Sequence, residues 1–222
     1  SFESVSSLGK IHYLGGYHLE DVINSYPKIN YTVIPDWQEN SVLHTLLKAP
    51  FTGQPSITVY SDTLFRKDTV NDMLAIDADV VYCVDSLWKD RYDSREKDDI
   101  GLAETVELTL CSGLTSVVEF TGLIYFSADA ISHLTNIDEA AVGNNLLDLL
   151  VYLEKLGLSV HPFDVTGAWA ELNSPEDIAR FILGTKSETL SRLEPLVQLS
   201  QIGKQVSFTC EQWQQNARGV LQ

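Results

Sequence analysis

The sequence predicts an α/β protein, a Rossmann-like three-layer α/β/α sandwich around a mostly parallel mixed sheet. Short apolar stretches bounded by turn residues alternate along the chain with amphipathic stretches of helical spacing. Strands that alternate with helices in this way form parallel sheets covered by helices on both faces. The 222 residues, 44% of them hydrophobic, are enough for the core of one sizeable domain.

The first half of the chain contains four predicted strands and three predicted helices. The strands are "KIHYLGG", "INYTVIPD", "SITVYSD" and "ADVVYCVD". The helix "HLEDVINSY" stops before Pro27, "NSVLHTLLKA" has Asn40 or Ser41 as its N-cap, and "TVNDMLAI" follows the third strand. The stretch 86–99 is rich in charge and has no period, which predicts a long loop.

The second half continues the alternation. "ETVELTL" and "LTSVVEFTGLIYFS" are predicted strands, the second bent or broken at Gly122. "DEAAVGNNLLDLLVYLEKLG" is a predicted helix, because one stripe of it carries Leu146, Leu149, Leu150, Leu153 and Leu156. After the strand "LSVHPFDV" and the loop "TGAWAELN", the helix "SPEDIARFILGT" has Ser174 as N-cap, Pro175 at its first position and Asp177 in a capping-box-like position.

Composition limits the function classes. The chain has 31 acidic and 15 basic residues, a formal net charge of −16, which argues against a nucleic-acid surface or docking on anionic lipid. The three cysteines form no CxxC pair, and no apolar run approaches the roughly 20 residues of a membrane span, so a cytoplasmic protein without a signal peptide is expected. We expect residues 1–185 to form the domain and 186–222 to be an extension or linker.

Two carboxylate-bearing turns follow predicted strands. Asp62 ends "SITVYSD", and the turn that contains Glu171 and Asn173 follows a later strand. Ligands bind outside the carboxyl ends of strands in open parallel sheets, so Asp62 and Asn173, or Glu171, are candidates to hold one Mg²⁺. The alternatives are structural, because Asp is a common turn residue after a strand and "LNSPED" is a good helix start without any function.

Two further motifs have both functional and structural interpretations. Asp77-Ala78-Asp79 spells the DxD of many glycosyltransferases, but it precedes a strand here, which favours a turn. The loop "VDSLWKDRYDSREK" holds Lys89, Arg91, Arg95 and Lys97 together with two aromatic residues. It is either a surface for an anionic phosphorylated substrate or a solvated charged loop.

Taken together, several of these stretches resemble the sugar-phosphate nucleotidyltransferases. "IHYLGGYHLEDVI" is similar to their second strand and helix, and "VYSDTLF" to their metal-bearing strand end. "EFTGLIYFS" is similar to the strand that faces the acceptor, and "GAWAELNSPEDIARF" to their W-x-E-I-[DN]-[TS]-x-x-D segment. "DSLWKDRYDSR" resembles the branch that acts on small phosphorylated or phosphonate acceptors with CTP.

The resemblance implies a GT-A-like fold and a cytidylyltransferase-like activity with Mg²⁺ and a nucleoside triphosphate, CTP first among them. By it, Asp62 and Asn173 would bind the metal, and Lys89, Arg91 or Arg95 would hold phosphate. The remaining residues that it places around the substrates are Gly15, Gly16, Ser61, Glu119, Gly122, Trp169 and Glu171. An acceptor phosphate or phosphonate would attack the α-phosphorus of the triphosphate and release pyrophosphate.

The chain also departs from that family. The glycine-rich L-A-A-G-x-G-x-R loop, with its strand and helix, does not occur in it, so we expect the domain to be N-terminally incomplete. The tail "TLSRLEPLVQLSQIGKQVSFTCEQW" resembles a join to a phosphoenolpyruvate-synthase-like kinase, which would be a fused or adjacent partner. A degenerate, non-catalytic binding or regulatory domain and a GT-A glycosyltransferase are the alternative functions.

Overall fold

The computed structural model describes residues 9–89, 105–109, 115–173, 175–183, 189–190, 193–194 and 203. Its strands are β1 His12–Gly15, β2 Asn30–Val33, β3 Ser56–Thr58, β4 Thr63–Phe65, β5 Val80–Asp85, β6 Thr105–Thr109, β7 Thr115–Phe126, β8 Val160–Asp164 and β9 Trp169–Glu171. Its α-helices are α1 Leu19–Ser25, α2 Val42–Leu47, α3 Lys67–Leu74, α4 Ala128–Leu134, α5 Leu146–Lys155 and α6 Pro175–Leu183, with a 3₁₀-helix at Glu139–Ala141.

The chain divides into two compact units, Ser1–Trp169 and Ala170–Gln222. The first unit contains the large sheet. The second contains α6, before which the Asn173 amide donates a 3.1 Å hydrogen bond to the Asp177 carboxylate. Asp177 therefore reaches back towards the helix start as predicted, whereas the predicted cap Ser174 lies outside the described residues.

The large sheet has the strand order β3-β7-β5-β8, with β6 also paired to β7. β7 is antiparallel to β3, β5 and β6, and β5 is parallel to β8. Strands β3, β5, β6 and β8 therefore run in one direction and β7 alone runs in the other, which confirms the predicted mostly parallel mixed sheet. β1 and β2 form a separate parallel pair.

Both faces of the sheet are buried, as the alternation of side chains along β5 shows. Val80, Tyr82 and Val84 enter one core with the apolar faces of α2, α4 and α5. Val81 and Cys83 enter a second core, which holds residues of α3. Because successive side chains of a strand point to opposite faces, β5 is a central strand between two helical layers. The predicted three-layer sandwich is confirmed.

Gly122 lies where β7 bulges. On β5, the single residue Cys83 lies between Tyr82, which pairs with Ile124, and Val84, which pairs with Phe120. On β7, three residues, 121–123, span the same interval. Gly122 has φ +76°, a left-handed conformation that side chains disfavour, and the Thr121 hydroxyl donates a 3.0 Å hydrogen bond to the Cys83 carbonyl inside the bulge. The predicted bend at Gly122 is therefore confirmed, although β7 continues past it as one strand.

Helix α5 begins later than the sequence analysis places it. Asn145 is its N-cap, and its side-chain oxygen accepts a 2.8 Å hydrogen bond from the Asp148 amide. Gly143, with φ +92°, separates this start from the 3₁₀-helix that occupies Glu139–Ala141. The prediction of one helix from residue 138 is wrong because the Gly143 conformation interrupts it. Four leucines of the predicted stripe are buried, whereas Leu156, the C-cap, is exposed.

Three other elements were not predicted, namely α4, β4 and β9. Helix α4 has Ser127 as its N-cap, whose hydroxyl accepts from the Ala130 amide, and it buries Ala130, Ile131 and Leu134. Strand β9 lies inside the stretch assigned to a loop. By contrast, Ser41 is the N-cap of α2, one of the two predicted candidates. In the described part of the chain, no helix has the length and apolarity to cross a membrane.

Candidate functional site

Two carboxylates end neighbouring parallel strands of the large sheet. β5 ends at Asp85 and β8 at Asp164, and the register pairs Val84 with Asp164. Parallel strands bring their carboxyl ends to one edge of a sheet, which is where open α/β sheets bind their ligands. This strand-end cluster, Asp85, Ser86, Asp164, Thr166 and Trp169, is the candidate functional site.

Asp85 is buried, with 2% of its surface exposed, and both of its carboxylate oxygens accept hydrogen bonds. Oδ1 accepts from the Leu87 amide at 2.9 Å and lies 2.8 Å from the Thr166 hydroxyl. Oδ2 accepts from the indole N–H of buried Trp169 at 2.8 Å. Asp85 thus ties the end of β5 to the segment that follows β8, and Trp169 in turn stacks on Phe65.

Asp164 is exposed and ionises easily. Partial desolvation opposes its ionisation, but hydrogen bonds from Ser86 and Thr166 outweigh it and lower the pKa of the Asp164 carboxyl. Its Oδ1 atom accepts from the Ser86 amide at 3.2 Å and from the Thr166 amide at 3.1 Å. Asp164 therefore carries a negative charge at neutral pH.

Thr166 lies between the two carboxylates and cannot satisfy both. Its hydroxyl oxygen is 2.8 Å from Asp85 Oδ1 and 2.8 Å from Asp164 Oδ1, yet a hydroxyl has one hydrogen to donate. The Ser86 amide fills an acceptor position of the same hydroxyl at 3.1 Å. The Thr166 hydroxyl therefore donates to one carboxylate at a time, while backbone amides still donate to Asp85 Oδ1 and Asp164 Oδ1.

Glu119 is a third carboxylate near this edge. It lies on β7 opposite Asp85 in the register and is buried, with 3% of its surface exposed. The pairing places the Glu119 and Asp85 side chains on the same face of the sheet. In the described part of the chain, however, no group of three or more His, Cys, Asp or Glu side chains is arranged to hold a metal.

Ser61 and Asp62 lie in the turn between β3 and β4. β3 ends at Thr58, and the chain turns where the Thr63 hydroxyl donates a 2.9 Å hydrogen bond to the Tyr60 carbonyl. Asp62 is exposed in this turn, so the expectation that it ends the strand is wrong because the backbone turns first. Its metal-binding role stays a prediction.

Glu171 and Asn173, which belong to the second unit, are close to each other. The Asn173 side-chain amide donates a 2.9 Å hydrogen bond to the Glu171 carboxylate. This bond leaves the amide oxygen of Asn173 as its remaining side-chain acceptor. The pairing of Asn173 with Asp62 at one Mg²⁺ stays a prediction from the sequence.

The predicted glycines pack against aromatic rings. A Cβ on Gly122 would overlap the Tyr60 ring, and one on Gly16 would overlap the Ile34 carbonyl and the Trp37 ring. Gly15 is the last residue of β1. These close approaches give Gly16 and Gly122 a structural reason, and a role for them at a substrate stays a prediction.

Of the predicted phosphate-binding cations, Lys89 lies with its ammonium 5.5 Å from the centroid of the Trp88 ring. Arg91 and Arg95 lie outside the described residues. The Asp79 carboxylate of the DxD sequence accepts from the Ser159 amide at 2.9 Å and the Ser159 hydroxyl at 2.7 Å. These bonds support the structural interpretation of that motif.

Solved structures share this architecture. A protein described as a glucose-1-phosphate thymidylyltransferase from Bacillus anthracis, in complex with sucrose, superimposes with a TM-score of 0.57 at 12% identity, covering 90% of this chain and 82% of that one. The chain has a nucleotidyltransferase fold.

Two further structures of this fold act with CTP according to their names. The inositol-1-phosphate CTP transferase from T. maritima has a TM-score of 0.53 at 15% identity, covering 78% of this chain and 75% of that one. The CTP:phosphocholine cytidylyltransferase from Streptococcus pneumoniae has a TM-score of 0.52 at 13% identity, covering 81% and 80%. No protein-family model and no curated protein matches the sequence.

Asp85 is the residue that the sequence analysis missed. The signal was present, because "VVYCVD" is an uninterrupted apolar strand that ends in a carboxylate, the same pattern that singled out Asp62. The neighbour relation of β5 and β8, which puts Asp85 beside Asp164, depends on tertiary structure.

Proposed function

We propose that this chain is a nucleotidyltransferase that transfers a nucleotidyl group from a nucleoside triphosphate to a small phosphorylated or phosphonate acceptor. The first candidate for the transferred group is the cytidylyl group of CTP. The observation that carries the proposal is the pair Asp85 and Asp164 at the carboxyl ends of adjacent parallel strands. The fold shared with three transferases supports it, and two of those are named for CTP.

Mg²⁺ fits the strand-end cluster through Asp164. The Asp164 carboxylate is exposed and its pKa is lowered. It shares the single proton of the Thr166 hydroxyl with Asp85. Asp85 itself fits less well, because both of its oxygens already accept from protein groups. Mg²⁺ commonly takes one or two carboxylates and completes its octahedron with water and substrate phosphates. When bound, it would neutralise charge on the phosphates.

The chemistry requires positioning more than a protein nucleophile. An oxygen of the acceptor phosphate or phosphonate attacks the α-phosphorus, the bond from that phosphorus to the bridging oxygen breaks, and pyrophosphate leaves. The chain's own contribution is to orient both substrates and to supply positive charge, for which Lys89, Arg91 and Arg95 are the proposed cations. A kinase that phosphorylates the acceptor would be a chemically sensible neighbour, as the tail predicts.

A panel assay tests the proposal. CTP and the other triphosphates are combined with Mg²⁺ and phosphocholine, inositol-1-phosphate, glucose-1-phosphate and 2-aminoethylphosphonate, and pyrophosphate release is followed. Asp164→Asn is expected to lower kcat/KM by at least about 100-fold if the carboxylate holds the metal, a loss of about 2.7 kcal/mol. Asp129→Asn, an exposed carboxylate in the first turn of α4, is the matched control.

The predicted ligands Asp62 and Asn173 are tested in the same assay. Asp62→Asn and Asn173→Ala are each expected to raise the Mg²⁺ concentration needed for half-maximal rate if they bind the ion. An unchanged Mg²⁺ dependence in both variants, together with a raised one in Asp164→Asn, would assign the metal to Asp164 without them. Absence of turnover with every triphosphate and acceptor would contradict the transferase proposal.

One specific observation favours a non-catalytic binding domain as the second candidate. Both carboxylate oxygens of Asp85 are already engaged by protein donors, the Leu87 amide and the Trp169 indole. Calorimetry that shows CTP binding to the chain without turnover would support this candidate. The glycosyltransferase alternative is disfavoured by the engagement of Asp79 with Ser159, and hydrolysis of a UDP-sugar that is lost in Asp79→Ala would revive it.

A further inference from the structure

Three aromatic rings form a corner outside the carboxyl ends of β1 and β2. This aromatic corner consists of Tyr17, His18 and Trp37. The Tyr17 ring centroid is 4.3 Å from that of His18, with an angle of 72° between the ring planes. It is 5.0 Å from the Trp37 centroid, with an angle of 59°. The rings are therefore steeply inclined to one another and do not form a flat platform.

The corner is exposed, although its parts are held firmly. The exposed fraction is 63% for Tyr17 and 38% for Trp37, and the His18 side chain is 62% exposed. Trp37 packs so closely on Gly16 that a Cβ there would overlap the Trp37 ring. Such a contact fixes the indole against the end of β1.

His18 is held in an unfavourable backbone conformation. With φ 46° and ψ 32°, it is the single non-glycine residue of the described ranges with a positive φ. Left-handed conformations of this kind cost about 1–2 kcal/mol for residues with a Cβ and tend to persist at functional sites. This conformation accompanies the edge contact between the His18 and Tyr17 rings and a 2.8 Å hydrogen bond between His18 Nδ1 and Asp21.

The charges around the corner are mostly negative. Glu20 and Asp21 occupy the first turn of α1, directly after His18. Asp36 precedes Trp37, and the neighbouring Asn40 side chain, followed by Lys48, lowers the pKa of its carboxyl. The Lys48 ammonium, the nearby cation, is engaged by both Asp36 oxygens at 3.0 and 3.1 Å. In a chain of net charge −16, this surface attracts cations and repels phosphates.

We propose that the aromatic corner binds the alkylated ammonium group of a small cationic molecule. Electron-rich ring faces within about 6 Å attract such a cation, and the exposed Tyr17 and Trp37 rings offer it aromatic surface. A nucleotide could stack on a single ring, but the surrounding carboxylates would repel its phosphates. The carboxylates around the corner need not contact the ligand, because their negative charge attracts a cation through space.

Saturation-transfer NMR with the intact chain and no nucleotide tests this proposal. Tetramethylammonium and choline are titrated at constant ionic strength, and 3,3-dimethyl-1-butanol serves as the neutral isostere of choline. Both cations are expected to bind in the millimolar range and the neutral isostere at least about fivefold more weakly, corresponding to about 1 kcal/mol of cation–π attraction. Equal binding of choline and the isostere, or binding of neither cation, would overturn the proposal.

Variants assign the site. Trp37→Leu keeps an apolar side chain without the aromatic face, and it is expected to weaken tetramethylammonium binding at least about fivefold, as is Tyr17→Leu. Tyr17→Phe retains the ring and is expected to retain binding. Tyr26→Leu removes another exposed tyrosine, outside the corner, and is the control. Circular dichroism verifies that each variant folds, and unaffected binding in folded Trp37→Leu and Tyr17→Leu would contradict the assignment.

Because the assay contains neither triphosphate nor acceptor, its result does not depend on transferase activity. Phosphatidylcholine vesicles form a separate arm of the experiment. Binding to vesicles without binding to free choline would point to a membrane surface and would also overturn the proposal of a small-molecule ligand.

Discussion

Replacing Asp85 by alanine is expected to destabilise the protein far more than replacing Asp62. Asp85 is 2% exposed and receives hydrogen bonds from the Leu87 amide and the Trp169 indole, in addition to its contact with the Thr166 hydroxyl. The Asp85→Ala change removes the acceptor and leaves these donors in place. The free energy of unfolding therefore falls by the desolvation penalty of every donor that finds no new partner.

The magnitude follows from the exposure of each donor. The Trp169 indole is buried, so its unsatisfied N–H costs about 1–3 kcal/mol. Leu87 and Thr166 are exposed, so their donors reach water and each loses a net bond of about 0.5–1.5 kcal/mol. The expected total is about 2–6 kcal/mol. Asp62→Ala, at an exposed turn, is expected to change the free energy of unfolding by less than about 0.5 kcal/mol.

Urea unfolding followed by circular dichroism measures both values. A double-mutant cycle with Trp169→Phe, which removes the indole N–H and keeps an aromatic ring, isolates the pairwise interaction, expected at about 1–2 kcal/mol. A loss below about 1 kcal/mol in Asp85→Ala, or a coupling energy near zero, would show that the carboxylate does not organise the strand-end cluster.

The remaining predictions concern Gly122 and Asp79. Gly122→Ala is expected to destabilise the protein by at least about 1 kcal/mol more than Gly53→Ala. The two glycines have nearly the same φ, +76° and +75°, so the backbone strain is matched. An added Cβ would overlap the Tyr60 ring at Gly122, whereas at Gly53 it would meet nothing. Equal losses in urea unfolding would contradict the ring contact. Hydrogen bonds from the Ser159 side chain and amide lower the pKa of Asp79, so its stabilisation is present above the unfolded value of 3.8 and is lost as the pH falls through the lower folded value. Asp79→Asn is therefore expected to show a smaller fall in Tm than the parent protein between pH 5 and pH 3, and parallel acid profiles would argue against it.

Local signals in the sequence predicted much of the fold and less of the site. The cap at Ser41 and the leucine stripe of α5 were readable because each depends on near neighbours along the chain. Helix α4 carried a similar signal, with Ser127 before apolar residues at helical spacing, and was overlooked. The early end of β3 was not readable, because residues up to Tyr60 continue the apolar pattern although the backbone has begun to turn.

The sequence by itself determined the class of the protein, since the alternation of strand and helix patterns requires a sheet buried on both faces. Only the tertiary structure decided which carboxylates share an edge of that sheet. Asp85 and Asp164 are nearly eighty positions apart, and they meet because β5 pairs with β8 in parallel. Pairing between distant strands depends on the packing of the whole sheet, so no local pattern records that Thr166 must lie between two carboxylates.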